Sequence, residues 1–374
     1  MTATLRVMLD QLVAPTEPDL AEASRELARA LVIGAPAGCE VEGIAPAGGR
    51  GDLSEVAGLA GVQRTALARR ELAGALQLGV GTGIGGGMIH SPSLFAPLVR
   101  HDRVHDNDQT VVTVWDLRPW DAADELPRAT AGWHRAMLKR AVKHADAVVA
   151  PTHAIAARLA ELAPLGDRIR VIAGAAPLGF AVPTDEVGRR RMLDLPEGFL
   201  LLSGGPVRSD GLQIGLAAIG ASGIDLPVVV IDTQDGDEPA IADLAAAAGI
   251  PERSLHVRGA LEAPDRAAVL GGAVALVAPS RRAAFPWRVV DALTLGVPVI
   301  AAESAVHSEV IVDGGEVIPG AVAETLVEGM ADALRRALAT TVAADRLAVL
   351  AGDRGRAFSW REAADRVWQL HAEL

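Results

Sequence analysis

Short, uninterrupted apolar runs alternate with amphipathic stretches along this chain. In its second half the runs at 199–203, 227–231, 255–257, 273–277 and 297–301 are apolar at nearly every position. Strands buried on both faces read this way, whereas half-exposed strands alternate. Between them the segments 239–248 and 265–270 carry helical spacing. The first half has the same rhythm: a strand at 5–13, an amphipathic helix at 19–32 with Asp19 as its N-cap, and a shorter strand at 39–44. A loop follows at 45–52, then a helix over 62–78. Next come strands near 88–92 and 111–115 and a helix running into the strand before Pro151. The last seventeen residues form an amphipathic helix, with Ser359 and Glu362 spaced as a capping box.

Strands that alternate with helices in both halves imply two doubly wound parallel sheets. Ligands of such sheets bind beyond the carboxyl ends of the strands, so a facing pair creates a cleft. The expected division is 1–183 for an acceptor-side Rossmann-like domain and 184–355 for a nucleotide-side one. A terminal helix at 356–374 then packs back on the first domain.

The segment 279–302 draws the pattern together. An apolar strand ends at Pro279, Ala284 to Trp287 opens a helix, Gly296 ends it, and a second buried strand follows. This order sets backbone amides and a positive dipole end beside a phosphate. The run at 79–87, with six glycines, has a phosphate-loop look. A strand follows it rather than precedes it, so it reads as a loop.

Pro279, Ser280, Phe285, Ala292, Gly296, Pro298 and Val299 stand in a register that resembles a known signature. It is the donor-binding motif of the retaining, nucleotide-sugar-dependent glycosyltransferases of family 4, which have the GT-B fold. Trp115-Asp116, His144-Ala145-Asp146 and Pro151-Thr152-His153 resemble the actinobacterial type of that family. The resemblance implies hexosyl transfer from a nucleotide-sugar to a glycan or lipid-linked acceptor in cell-envelope polysaccharide synthesis.

The same resemblance shows where the donor chemistry departs. The loop 203–213 has Asp210 where the family has a diphosphate-binding Lys, and Gly205 near the position of its Arg. Ala283 replaces a sugar-binding Glu, and Asp291 replaces the ribose-binding Glu. Reversing one charge about 4 Å from a diphosphate costs several kcal/mol, by a Coulomb term of ~4 kcal/mol at an effective dielectric of ~20. The donor-side candidates are therefore Arg208, Arg258 and Arg288 as replacement cations, Asp291 for ribose, Phe285 within the motif, and Glu309 in a family Glu-Val pair. His90, Trp115 and Asp116 are the acceptor-side candidates. No catalytic residue is assigned.

Composition narrows the partners. A net charge of −12 argues against nucleic acid. The single cysteine, Cys39, rules out an internal disulfide and suits a reducing cytoplasm. No metal constellation or cofactor motif is present, so the donor would be a substrate and no metal is expected. The only lysines, Lys139 and Lys143, lie on the basic helical segment 134–144, which allows at most a peripheral membrane contact. Two readings follow: a glycosyltransferase with weakened or lost catalysis, or a non-catalytic homologue serving as an interaction or regulatory subunit of an active glycosyltransferase.

Overall fold

The computed structural model describes residues 3–48, 51 and 53–374. The chain divides into two compact units. The first holds the chain up to Pro177 together with Ala283–Phe285 and Ser359–Leu374; the second holds Leu178–Arg282 and Pro286–Phe358. The breaks thus fall at Pro177 and Phe358 rather than at 183 and 355. Ala283–Phe285, expected in the second domain, sorts with the first.

The first unit has seven strands: β1 Ala3–Met8, β2 Cys39–Ala47, β3 Gly61–Ala68, β4 Met88–Ser91, β5 Gln109–Thr113, β6 Ala147–Ala150 and β7 Ile169–Val171. They lie in the order β3-β2-β1-β4-β5-β6-β7, and every pairing is parallel. The second unit repeats the plan with β8 Phe199–Ser203, β9 Val228–Ile231, β10 Leu255–Val257, β11 Ala273–Ala278, β12 Val299–Ala302 and β13 Glu316–Ile318. Their order is β10-β9-β8-β11-β12-β13, again all parallel. Each sheet winds outward in both directions from its first strand. The switch points lie between β1 and β4 and between β8 and β11.

Burial explains the apolar runs. Leu200, Leu202, Val228, Val230, Val277 and Ile300 are buried in the core of the second sheet. Helices Leu212–Ser222 and Ala323–Ala337 cover one face through Leu216, Ile219, Met330 and Leu334.

Four sequence expectations are corrected. Residues 61–68 form strand β3, not the start of a helix; the helix is Arg69–Leu78. Parallel pairing of Gly43 with Val62 and Ile44 with Gln63 decides the matter, because tertiary pairing overrides local propensity. Strand β2 extends to Ala47 and absorbs part of the expected loop 45–52, of which residues 49, 50 and 52 lie outside the described residues. The helix Pro18–Ile33 is preceded by Glu17 with no side-chain cap, so Asp19 is a first-turn acid and not the N-cap. Ser359 does precede the final helix, Trp360–Glu373, but its side chain caps nothing.

Candidate functional site

The carboxyl edge of the second sheet is where a doubly wound unit holds a ligand, at the switch point between β8 and β11. The loops that leave these two strands meet there. After β8 comes 204–211, closing in a short turn Arg208–Asp210; after β11 comes 279–282. Ser280 Oγ donates to the Ser209 carbonyl at 3.0 Å. Gly211, at φ 73°, sits so close to Pro279 that an added Cβ would lie 2.8 Å from its carbonyl oxygen. Only glycine allows this approach.

Asp210 spans the crevice. One carboxylate oxygen accepts the Gly205 N–H at 2.8 Å, and the other accepts from Arg282 at 2.8 Å. A backbone amide and a guanidinium are the two donor types that a diphosphate uses at such an edge. Here a carboxylate of the chain takes both.

A second cluster lies at the end of β9 and the start of helix Trp287–Leu295. Arg288 is 8% exposed. Its guanidinium holds both oxygens of Asp232, at 2.7 and 3.1 Å, and reaches Asp291 at 2.9 Å. Arg266 meets the same Asp291 oxygen at 2.8 Å, and Ser203 Oγ donates to Asp232 at 2.6 Å. Two arginines and two aspartates form one neutral quartet, buried except for the half-buried Asp232. Burial alone would raise the Asp232 pKa; the Arg288 charge and hydrogen bonds, with Ser203, outweigh it and hold the carboxyl below its usual range. Asp232 sits at φ 63°, a left-handed conformation unusual for a residue with a side chain.

Of the other donor-side candidates, Arg208 stays in the crevice loop, while Arg258 and Glu309 fall elsewhere. Arg258 donates to the carbonyls of Leu193, Val257 and Asp194 and so fastens the end of β10 to the 193–194 turn. Arg208 is exposed in the turn after β8. Glu309 is half-buried in helix Ala305–Ile311, where its carbonyl accepts from Arg354. Arg288 and Asp291 are thus brought together, but to each other and to Asp232. Asp232, Arg266 and Arg282 were not among the candidates. The signal for Asp232 was available: an acid directly after the apolar run of β9.

In the first unit Phe285 is 3% exposed and packs edge-on against Trp115, ring centroids 5.7 Å apart. Its N–H donates to the Trp115 carbonyl at 2.9 Å, and Leu117 N–H donates to Ala283 at 3.0 Å. Ala283–Phe285 is therefore a short antiparallel partner of 115–117, and the helix begins only at Trp287. Trp115 Nε1 donates to the Pro92 carbonyl at 2.8 Å. Asp116 receives the Arg118 N–H at 2.6 Å. His90 is 1% exposed and faces His371 of the final helix, 3.3 Å away.

Among the described residues no group of three or more His, Cys, Asp or Glu could hold a metal. No helix among them is long and apolar enough to cross a membrane.

Residues 228–340 match the family model described as glycosyl transferases group 1. No curated protein matches the sequence. Solved structures similar to the chain include sucrose-phosphate synthase from Thermosynechococcus elongatus, with TM-score 0.73 and 18% identity over 99% of this chain and 98% of that one. Anabaena HepE in complex with UDP and glucose gives TM-score 0.71 and 14% identity over 100% of both chains. A glycosyltransferase from Rickettsia africae gives TM-score 0.67 and 16% identity over 100% of this chain and 98% of that one. The chain has the GT-B fold, and most of its second unit matches the model of glycosyl transferases group 1.

Proposed function

We propose that this chain is a GT-B glycosyltransferase-type protein, built for hexosyl transfer from a nucleotide-sugar, in which binding of the donor diphosphate is weakened or lost. The group 1 match and the UDP held by the neighbour HepE support the nucleotide-sugar part of this reading. One observation carries the second part: at the carboxyl edge of the second sheet, Arg282 and Arg288 are paired with carboxylates of the same chain. An incoming diphosphate must displace Asp210 from an amide and a guanidinium. It would otherwise meet Arg288 with its charge already neutralised by Asp232 and Asp291.

Retaining chemistry of the family 4 type, a glycan or lipid-linked acceptor of the cell envelope, and a cytoplasmic location at the inner membrane face complete the proposal for an active form. The favoured form is non-catalytic: an interaction or regulatory subunit paired with an active glycosyltransferase. Paired cations at the ligand edge favour this second form. Isothermal titration with UDP, GDP, TDP and their glucose derivatives tests it. Absence of binding at millimolar nucleotide supports loss of the donor site; micromolar binding overturns it.

A further inference from the structure

The carboxyl edge of the first sheet holds two arginines with unused hydrogen-bonding capacity. Arg69, at the end of β3, donates through Nε to Asp10 at 3.0 Å, and its guanidinium lies 4.9 Å over the Phe95 ring. Asp10 follows β1 and Phe95 follows β4, so this guanidinium sits over the switch point between the two strands. Arg118, beyond β5, turns toward the same place. Its terminal nitrogen is 3.7 Å from Glu17, in the loop after β1.

The loop after β1 is braced from within. Gln11, 2% exposed, donates to Asp10 at 2.8 Å and accepts from the Thr16 N–H at 2.9 Å and the Thr16 hydroxyl at 3.1 Å. Glu17 precedes helix Pro18–Ile33 without capping it, and its carboxylate faces Arg118 instead. Among the described residues the Arg118 guanidinium makes no hydrogen bond. Its Nε is buried without a partner, and the nearest Asp116 oxygen is 3.6 Å from it. Gaps of 3.6 and 3.7 Å are too long for direct bonds. The two terminal nitrogens of Arg69 likewise have no acceptor among the described residues.

Charge does not favour an anion here. Arg69 and Arg118 face three acids, Asp10, Glu17 and Asp116, so a phosphate would meet carboxylates as well as guanidinium groups. A hydroxyl suits both signs, because one oxygen accepts from a guanidinium and donates to a carboxylate. We propose that this edge binds an uncharged sugar, with one hydroxyl held between Arg118 and Glu17 and others meeting Arg69. This site deepens the glycosyltransferase-type reading and rests on it: the ligand of the first unit is a neutral glycan rather than a lipid-linked diphosphate.

Methyl glycosides of glucose, galactose, mannose and N-acetylglucosamine are the probes, titrated against the intact chain by saturation-transfer NMR beside glucose 6-phosphate. At least one glycoside should bind, more tightly than glucose 6-phosphate and equally well at low and high salt. Arg118→Met should weaken that binding at least about tenfold and Glu17→Ala about fivefold. Arg346→Met, in the second unit, should leave it unchanged. Glucose 6-phosphate binding best, and losing affinity as salt rises, would make this an anion site and overturn the proposal. Binding by no glycoside, or binding indifferent to both Arg118→Met and Glu17→Ala, would also overturn it. Nucleotide titration separates the two proposals. UDP binding together with Arg118-dependent glycoside binding sinks only the loss of the donor site; absence of both sinks only the sugar site.

Discussion

Nδ1 of His90 lies 3.3 Å from Nε2 of His371, and the far nitrogen of His371 lies 2.8 Å from Oε1 of Gln109. The Gln109 amide donates to the His371 carbonyl at 3.2 Å, which fixes its orientation. Its oxygen can only accept, so His371 carries its proton on Nδ1 and accepts from His90 on Nε2. Both imidazoles are neutral in this chain of bonds, and a second proton on His371 would set two N–H groups against each other.

That arrangement makes the first unit acid-sensitive. Burial pushes the His371 pKa down to about 4 and that of His90 well below its ordinary 6.5, with the nearby Asp146 partly opposing the fall at His371. The unfolded chain takes up these protons near pH 6.5; the folded chain takes up that of His371 only near pH 4, and that of His90 is shifted well below its ordinary range. Stability is therefore complete above about pH 6.5 and falls as the pH drops toward 4, by about 3 kcal/mol from His371 alone. Urea midpoints at pH 7 and pH 4.5 should differ more for the native chain than for His371→Gln; equal slopes would refute the assignment.

Removing Arg288 should cost stability rather than only ligand affinity. Arg288→Ala leaves the half-buried Asp232 without its bidentate partner; breaking a fully buried pair from one side costs about 3–5 kcal/mol, so the loss here should lie near the lower end, about 3 kcal/mol. Arg208→Ala, at an exposed turn, should change the denaturation midpoint little. Comparable losses in both variants would contradict the quartet's structural weight.

Asp210 occupies the donors that a diphosphate would need at the edge of the second sheet. Asp210→Ala releases the Gly205 amide and the Arg282 guanidinium. UDP affinity should rise at least about tenfold, since an ionic hydrogen bond is worth about 1.5–3 kcal/mol. Uridine, lacking the diphosphate, should show no gain. Asp210→Lys should gain less, because the new ammonium would sit against Arg282. Equal gains for uridine and UDP would place the effect away from the phosphates.

Phe285 should behave as a core residue of the first unit. With 3% exposure and its ring against Trp115, Phe285→Ala should cost about 3–5 kcal/mol. Thermal denaturation of this variant beside Phe358→Ala reads the difference.

The strands of the second sheet were legible because β8, β9 and β11 are apolar on both faces and no helix of that length needs such a run. Strand β3 was not, since Val62, Arg64 and Ala66 on this edge strand are exposed and its period is blurred by the helix that follows. At the site, the motif residues around 279–299 were readable as a strand–loop–helix–strand unit. What the sequence hid was pairing at a distance: Asp232 and Arg288 lie 56 residues apart, and Asp210 and Arg282 lie 72 apart. Such partners are set by the order of strands around the switch point.

The left-handed backbone of Asp232 constrains how this protein could change over generations. At φ 63° a glycine would relieve roughly 1 kcal/mol of conformational cost, yet it would strand the Arg288 charge beside a single shared carboxylate. Replacing Arg288 first leaves Asp232 without its cation instead, while Asp291 keeps Arg266. Each single step out of the quartet is uphill, so the arrangement works as a ratchet: it can be left only by paired substitutions.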